Sequence, residues 1–338
     1  MKKVVITGPR RSELIDAAQP KAAADWAVVR VHAAPMCTEY KAFLKGDRAE
    51  FLGHEAAGEV VEIAQHGPLK VGERVVVMPT YPCGQCALCL AGDYIHCEHG
   101  LSVAEVTGGS EGGATYAQYL VKPTRLLLRI PDGLPYDLAS LACCGLGPSF
   151  GAFDAMGVDA FDTVMITGLG PVGIGAVINA RFRGARVIAL DSLAYRANLA
   201  LELGAAAVIN PLDPDAVRQI KMLTGGAGSD CALDCSGVVA AHRLCIDAVR
   251  RKGRVAFVGE CNDDTPLRVS PDLIRKGLTL IGSWHYNLNL FDQIMHVIQT
   301  SPLVPRLISH RLPMSAVQRA LELSASSDHA KIILDPWA

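Results

Sequence analysis

Residues 162–191 read DTVMITGLGPVGIGAVINARFRGARVIALD, and their order decides the fold. A short apolar run (Val164, Met165, Ile166) breaks on Gly168-Leu169-Gly170-Pro171-Val172-Gly173 and resumes as a helical stretch ending near Gly184. A second apolar run, 186–190, stops on Asp191. Strand, glycine turn, helix, strand and acid in that succession predict a βαβ crossover that binds a dinucleotide. Gly168 permits the tight turn, Gly170 lets the backbone approach a pyrophosphate, and Gly173 lets helix and strand pack closely. The N–H groups of the helix start, around Pro171 and Val172, would face the phosphates. Asp191 lies 18 residues beyond Gly173, placed to accept hydrogen bonds from both ribose hydroxyls. Its carboxylate would repel a 2′-phosphate, and neither Ser192 nor Leu193 offers a cation to bind one. NAD is expected rather than NADP.

Outward from this unit, apolar strands alternate with helices from about 149 to 285, which predicts an α/β, doubly wound parallel sheet covered on both faces (a Rossmann domain). Residues 1–148 differ. Short apolar runs at 4–6, 27–31, 58–63, 74–78, 117–121 and 126–130 are separated by Gly, Pro and Asp, the pattern of a β-rich domain. The last fifty residues hold helical stretches at 290–299 and 315–323 and a closing strand at 331–334.

Composition narrows the function. Half the residues are hydrophobic, 20% are charged and the formal net charge is −2, so nothing favours binding nucleic acid or an anionic membrane. No stretch approaches the ~18 uninterrupted apolar residues of a membrane span. The N-terminus has two lysines but only a three-residue apolar run, unlike an export signal, and a cytoplasmic location is expected. Eleven cysteines in that setting read as metal ligands and buried thiols.

Cys83, Cys86, Cys89 and Cys97 give C-x2-C-x2-C-x7-C within a lobe at about 79–100. Four thiols on one compact loop predict a structural Zn²⁺ site with no open position for chemistry. A second metal must be assembled from distant residues: Cys37, His54 of Gly53-His54-Glu55, and Cys143 or Cys144.

GHEAAGEV at 53–60, the four-cysteine lobe, the GLGPVG turn and the acid at 191 occur in the order found in zinc-dependent medium-chain dehydrogenases, which the whole chain resembles. The resemblance implies a GroES-like catalytic domain (1–148 and 286–338) interrupted by the NAD-binding domain (149–285). It implies two Zn²⁺ per chain, the catalytic one held by Cys37, His54 and Cys144. Glu55 would lie beside that metal or exchange onto it. Lys331 would neutralise cofactor phosphates and Ser283 would pass near the nicotinamide. Zinc would bind the substrate alcohol and lower its pKa, and NAD would take the hydride. A homodimer or homotetramer is also implied.

Two departures stand out. Most members carry Ser or Thr, the proton acceptor, at the position where this chain has Glu39, and Thr38 falls one place early. Glu39 is expected to act as the base, or otherwise as a salt-bridge partner of Lys41 or Lys45. Only 16 residues separate Cys37 from His54, which suggests a trimmed substrate loop and an open pocket; Phe43, Phe51, Leu52 and Trp284 are among the wall residues considered. The expected activity is NAD(H)-dependent interconversion of a secondary alcohol or polyol with its ketone. Alternatives are a primary alcohol/aldehyde dehydrogenase and a non-catalytic NAD(H)-binding redox sensor.

Overall fold

The strand Trp26–Pro35 organises the β-rich part of the protein. Its valines and alanines are buried along almost the whole length, as β-branched and small residues favour in a strand covered on both faces. It pairs antiparallel with Ala56–Ile63, with Tyr119–Pro123 and with Lys331–Asp335, which comes from the far end of the chain. Lys331–Asp335 runs parallel to Ile308–Pro313, and Ala56–Ile63 carries Arg74–Val77 and then Leu127–Arg129. A separate hairpin, Lys2–Gly8 with Arg11–Asp16, closes over Ile6 and Val4. The polar register of Arg11–Asp16 left this second strand outside the expected set.

This computed structural model describes residues 1–326 and 328–338. The chain divides into two compact units: Met1–Gly145 with Asn287–Thr300 and Ile308–Ala338, and Leu146–Tyr286 with Ser301–Leu307. The first unit is built on the strands above, and Val29, Val31, Phe43, Val60, Val77 and Ile332 belong to its core. Phe43 and Leu52, considered above as pocket walls, are 0% and 3% exposed and belong to that core instead.

The second unit is a six-stranded sheet, parallel throughout. Across it lie Ala207–Ile209, Arg186–Leu190, Thr163–Thr167, Ser229–Asp234, Val249–Phe257 and Thr279–Gly282. Numbered along the chain within this unit, that is 3-2-1-4-5-6, the doubly wound order whose direction reverses between the first and fourth strands. Thr167 Oγ1 donates to Asp234 Oδ1 at 2.8 Å across that reversal, at the carboxyl ends of the two strands. The helix Pro171–Phe182 begins there, with Gly170 as its N-cap and proline at its start. Gly168 is left-handed (φ +79°) and donates its amide to Leu190 O at 2.9 Å.

Gly173 shows why the glycine spacing matters. A Cβ there would lie 1.9 Å from Gly168 O, a backbone atom with no rotamer to escape into. Gly173→Ala is therefore expected to destabilise the protein by about 1–3 kcal/mol, the usual cost of overpacking, with weakened NADH binding. Urea denaturation and NADH fluorescence titration check both.

Candidate metal centre

The four-cysteine lobe folds on a short helix, Ala87–Leu90, and a single turn, Tyr94–His96. Sγ–Sγ distances are 4.0 Å for Cys83–Cys89, 3.9 Å for Cys86–Cys97 and 3.5 Å for Cys83–Cys97. A regular tetrahedron with Zn–S bonds of about 2.3 Å has edges of about 3.8 Å, so the thiols already stand at coordination distance. The amides of Cys83 and His99 donate to Cys97 Sγ at 3.3 and 3.4 Å, as they would to a thiolate. Amide donors from Gln85 and Cys86 draw the Cys83 pKa down to about 6.

A second set of donors converges in the first unit. One ligand atom each from Cys37, His54, Glu55 and Cys144 lies within 4.8 Å of the others. Cys37 follows the end of the long strand Trp26–Pro35, and His54-Glu55 leads into Ala56–Ile63, its antiparallel partner. Cys144 stands just past the turn Ser140–Ala142. Pairing of the two strands thus delivers two of the sites to one end of the sheet. Cys144 Sγ is 3.3 Å from His54 Nε2. Its neighbour Cys143 points elsewhere, fully buried, with Sγ directed to Val77 O at 3.4 Å.

Each donor is backed by another group. Glu39 Oε1 lies 2.8 Å from His54 Nδ1, which leaves Nε2 for a metal. Glu39 Oε2 accepts from the Cys37 amide at 2.9 Å and from the Tyr116 hydroxyl at 2.8 Å. Glu55 Oε2 accepts from the Cys144 amide at 3.0 Å, and Glu55 Oε1 meets Lys331 Nζ at 2.6 Å, both side chains fully buried. Lys331, expected on the cofactor phosphates, is engaged here with a carboxylate.

The electrostatics favour a cation. The hydrogen bond with Cys144 holds Cys37 well below its ordinary value against the opposing effect of burial, while the same bond and burial push Cys144 well above its own. Burial would depress His54, but Cys37 and Glu39 raise it to about 11. Burial raises Glu55 to about 7 in spite of Lys331. Two sulfurs, an imidazole nitrogen and a nearby carboxylate are a donor set for a borderline-soft divalent ion, which would take the place of a proton on His54 Nε2.

The role expected of Glu39 changes on this geometry. Burial works to raise its pKa, yet His54, the Cys37 amide and Tyr116 together bring it down to about 2. A carboxylate with three donors and that acidity is a poor proton acceptor at neutral pH; it orients the histidine instead. The alternative salt bridge to Lys45 is also absent, since Lys45 pairs with Asp47 at 2.8 Å. Thr38 is the exposed hydroxyl next to Cys37. Tyr116 was not singled out from the sequence, where it stands just ahead of the apolar run 117–121.

In the second unit, Asp191 follows directly on Arg186–Leu190. Its Oδ2 accepts from the Leu169 amide at 2.7 Å and its Oδ1 from the Leu193 amide at 2.9 Å, fixing the acid to the glycine turn. No side chain closes the helix start at Gly170, where a Cβ would find only Arg196 NH1, at 4.0 Å. Arg196 also stands 3.8 Å from Asp191 Oδ2. It was missed because Ser192 and Leu193 were the only neighbours weighed; one turn into the following helix brings it back. Ser283 donates its amide to Phe257 O at 3.0 Å, continuing the edge of the parallel sheet.

Comparison with known proteins agrees with both halves. The alcohol dehydrogenase GroES-like domain family matches residues 23–132, and the zinc-binding dehydrogenase family matches residues 171–300. An uncharacterized zinc-type alcohol dehydrogenase-like protein of Escherichia coli is 32% identical, with 90% of this chain and 84% of that protein aligned. An erythritol/L-threitol dehydrogenase of Mycolicibacterium smegmatis is 31% identical over 99% of this chain and 98% of its own. Among solved structures, the alcohol dehydrogenase TADH from Thermus sp. ATN1 superposes with a TM-score of 0.90 at 27% identity, covering 99% of each chain. With its clustered cysteines, its glycine turn and its relatives in agreement, the chain belongs to the zinc-dependent medium-chain alcohol dehydrogenase family.

Proposed function

We propose that the protein is a zinc-dependent NAD(H) oxidoreductase that interconverts a secondary alcohol or polyol with its ketone. The observation that carries the reading is the convergence of Cys37, His54, Glu55 and Cys144 donor atoms within 4.8 Å, separate from the four-cysteine lobe. A binding protein keeping only a structural metal would need no such second set. The erythritol/L-threitol dehydrogenase relative supports a polyol or secondary alcohol over a primary one.

Two chemistries come from groups the protein would bind: Lewis-acid polarisation of the substrate oxygen from zinc, and uptake of hydride by the nicotinamide. The protein's own residues do the rest. Cys37, Cys144 and His54 Nε2 supply the three donors of the catalytic site, leaving a position for substrate. Cys83, Cys86, Cys89 and Cys97 hold a second, structural zinc. Glu39 fixes the tautomer of His54 by accepting a hydrogen bond from Nδ1–H. Glu55, held by Lys331, keeps a carboxylate beside the site without a net extra charge. The proton of the alcohol would pass to solvent, and Thr38, exposed beside Cys37, is the hydroxyl available to carry it. In the other unit, Gly168, Gly170 and Gly173 admit the pyrophosphate, and Asp191 receives the ribose hydroxyls while repelling a 2′-phosphate. We place the enzyme in the cytoplasm as a homo-oligomer; among the described residues no helix is long and apolar enough to cross a membrane.

Three results are expected. Elemental analysis should find two zinc ions per chain. A panel of polyols, secondary alcohols and primary alcohols assayed for NADH formation should show turnover that a chelator abolishes, greatest with the first two classes and with NAD over NADP. One zinc per chain and no turnover would sink the enzyme reading.

The division of labour between Thr38 and Glu39 is tested by substitution. Thr38→Val should lower kcat by about 100-fold, the usual contribution of a proton-transfer group, with zinc content intact. Glu39→Gln should instead weaken zinc binding at the catalytic site by about 10–100-fold, the effect of losing a partner of a ligating histidine. The assignment fails if Glu39→Gln binds zinc normally and loses only kcat.

Asp191→Asn should narrow the preference for NAD over NADP by about 10-fold or more, since it removes the charge facing a 2′-phosphate. The ratio of kcat/KM for the two cofactors is the readout, and an unchanged ratio would place the selectivity elsewhere.

A further inference from the structure

The carboxylate of Glu39 is held from three directions. Oε1 meets His54 Nδ1 at 2.8 Å, and Oε2 accepts from the Cys37 amide at 2.9 Å and the Tyr116 hydroxyl at 2.8 Å. One side chain therefore links the backbone of a thiol donor, the ring of the imidazole donor and a phenol 77 residues away in sequence.

Tyr116 is a fixed point in that chain. It has no exposed surface and belongs to the core of the first unit. Its amide donates to Leu52 O at 3.0 Å, binding it to the segment that leads into His54. Its ring occupies the volume that a side chain would need at Gly53: a Cβ there would lie 2.5 Å from Tyr116 Cδ1. Gly53 has φ +83°, so the turn carrying His54 both requires glycine and gives up its side-chain space to this ring.

We propose that Tyr116 is a positioning residue for the metal-binding imidazole, acting through Glu39. The inference rests on the reading of Cys37, His54 and Cys144 as the ligands of the catalytic zinc. A glutamate has three rotatable side-chain bonds, so a single contact with His54 would leave its carboxylate free to swing. The phenol and the Cys37 amide both grip Oε2, and the geometry that remains points Oε1 at Nδ1. The histidine then keeps one tautomer and one ring orientation, with Nε2 available to the metal. Removing the hydroxyl leaves Oε2 with one donor and the imidazole with a less well-fixed partner.

Tyr116→Phe keeps the ring and deletes only the donor, so the packing against Gly53 is retained. The full-length protein, loaded with zinc, is titrated with a chromophoric chelator; in parallel the catalytic site is exchanged with Co²⁺ and its visible absorption recorded. The expected result is about 3–30-fold weaker retention of one zinc per chain, below or overlapping the 10–100-fold range for a direct partner of a ligating residue. The four-cysteine zinc should be unaffected, and the Co²⁺ bands should shift. Glu39→Gln should shift the same bands, and adding Tyr116→Phe to it should change affinity little further, because both act along one path.

Wild-type affinity together with unchanged Co²⁺ bands in Tyr116→Phe overturns the proposal while leaving the zinc reading intact. Full additivity with Glu39→Gln also overturns it, since the effect would then run through packing. If Tyr116→Phe does not fold, Glu39→Gln decides: unchanged bands there remove the path and shifted bands support it. A wild-type protein that binds only the four-cysteine zinc contradicts the functional reading itself.

Discussion

Glu55 and Lys331 meet at 2.6 Å with no exposed surface on either side chain. Two charges withdrawn from water are costly unless they are paired and further hydrogen bonded, and loss of one partner costs about 3–5 kcal/mol. Glu55 meets the condition with the Cys144 amide on its other oxygen. This contact joins parts of the chain that sequence keeps far apart: the Gly53-His54-Glu55 turn, the peptide of Cys144, and the strand Lys331–Asp335 that returns from the end of the chain. The arrangement of sulfur and nitrogen donors around it depends on that closure, because Cys144 is placed by its backbone and His54 by its neighbour.

The layer of support behind His54 follows the same logic. A buried carboxylate is stable here because three donors are aimed at it. Glu39 has the histidine, an amide and a phenol. The result is a site in which rigidity comes from polar groups, set in a unit whose core is mostly valine, leucine and alanine.

The nucleotide unit was largely legible in the sequence, since its determinants are local. Gly168, Gly170 and Gly173 act on atoms within a few residues, and alternation of strand and helix is visible in periodicity. The observed strand order 3-2-1-4-5-6 is what such a crossover leads to. The four-cysteine lobe was legible for the same reason, with all its donors inside 83–97. For the second donor set the residues alone left Cys143 and Cys144 open and the resemblance selected Cys144, because residues 37, 54 and 144 share no local pattern. The contact of Glu39 with His54 was not legible because distance from Cys37 along the chain does not tell the direction of a side chain. Tyr116 and Arg196 escaped notice for a related reason: each matters through one oxygen or one guanidinium group whose partner lies in another element. Phe43 and Leu52 looked like pocket walls from their position beside candidate ligands, yet apolar residues in that place served the core.

The two donor sets also differ in when they can exist during synthesis. The lobe closes a loop of only 15 residues, Cys83 to Cys97, so little chain entropy opposes its assembly as soon as that stretch has left the ribosome. The other set needs residue 144 and, through Glu55, a lysine 276 residues further along the chain. Capture of the first ion is thus compatible with a nascent chain, whereas the second set is fully supported only once the strand Lys331–Asp335 has paired with Trp26–Pro35.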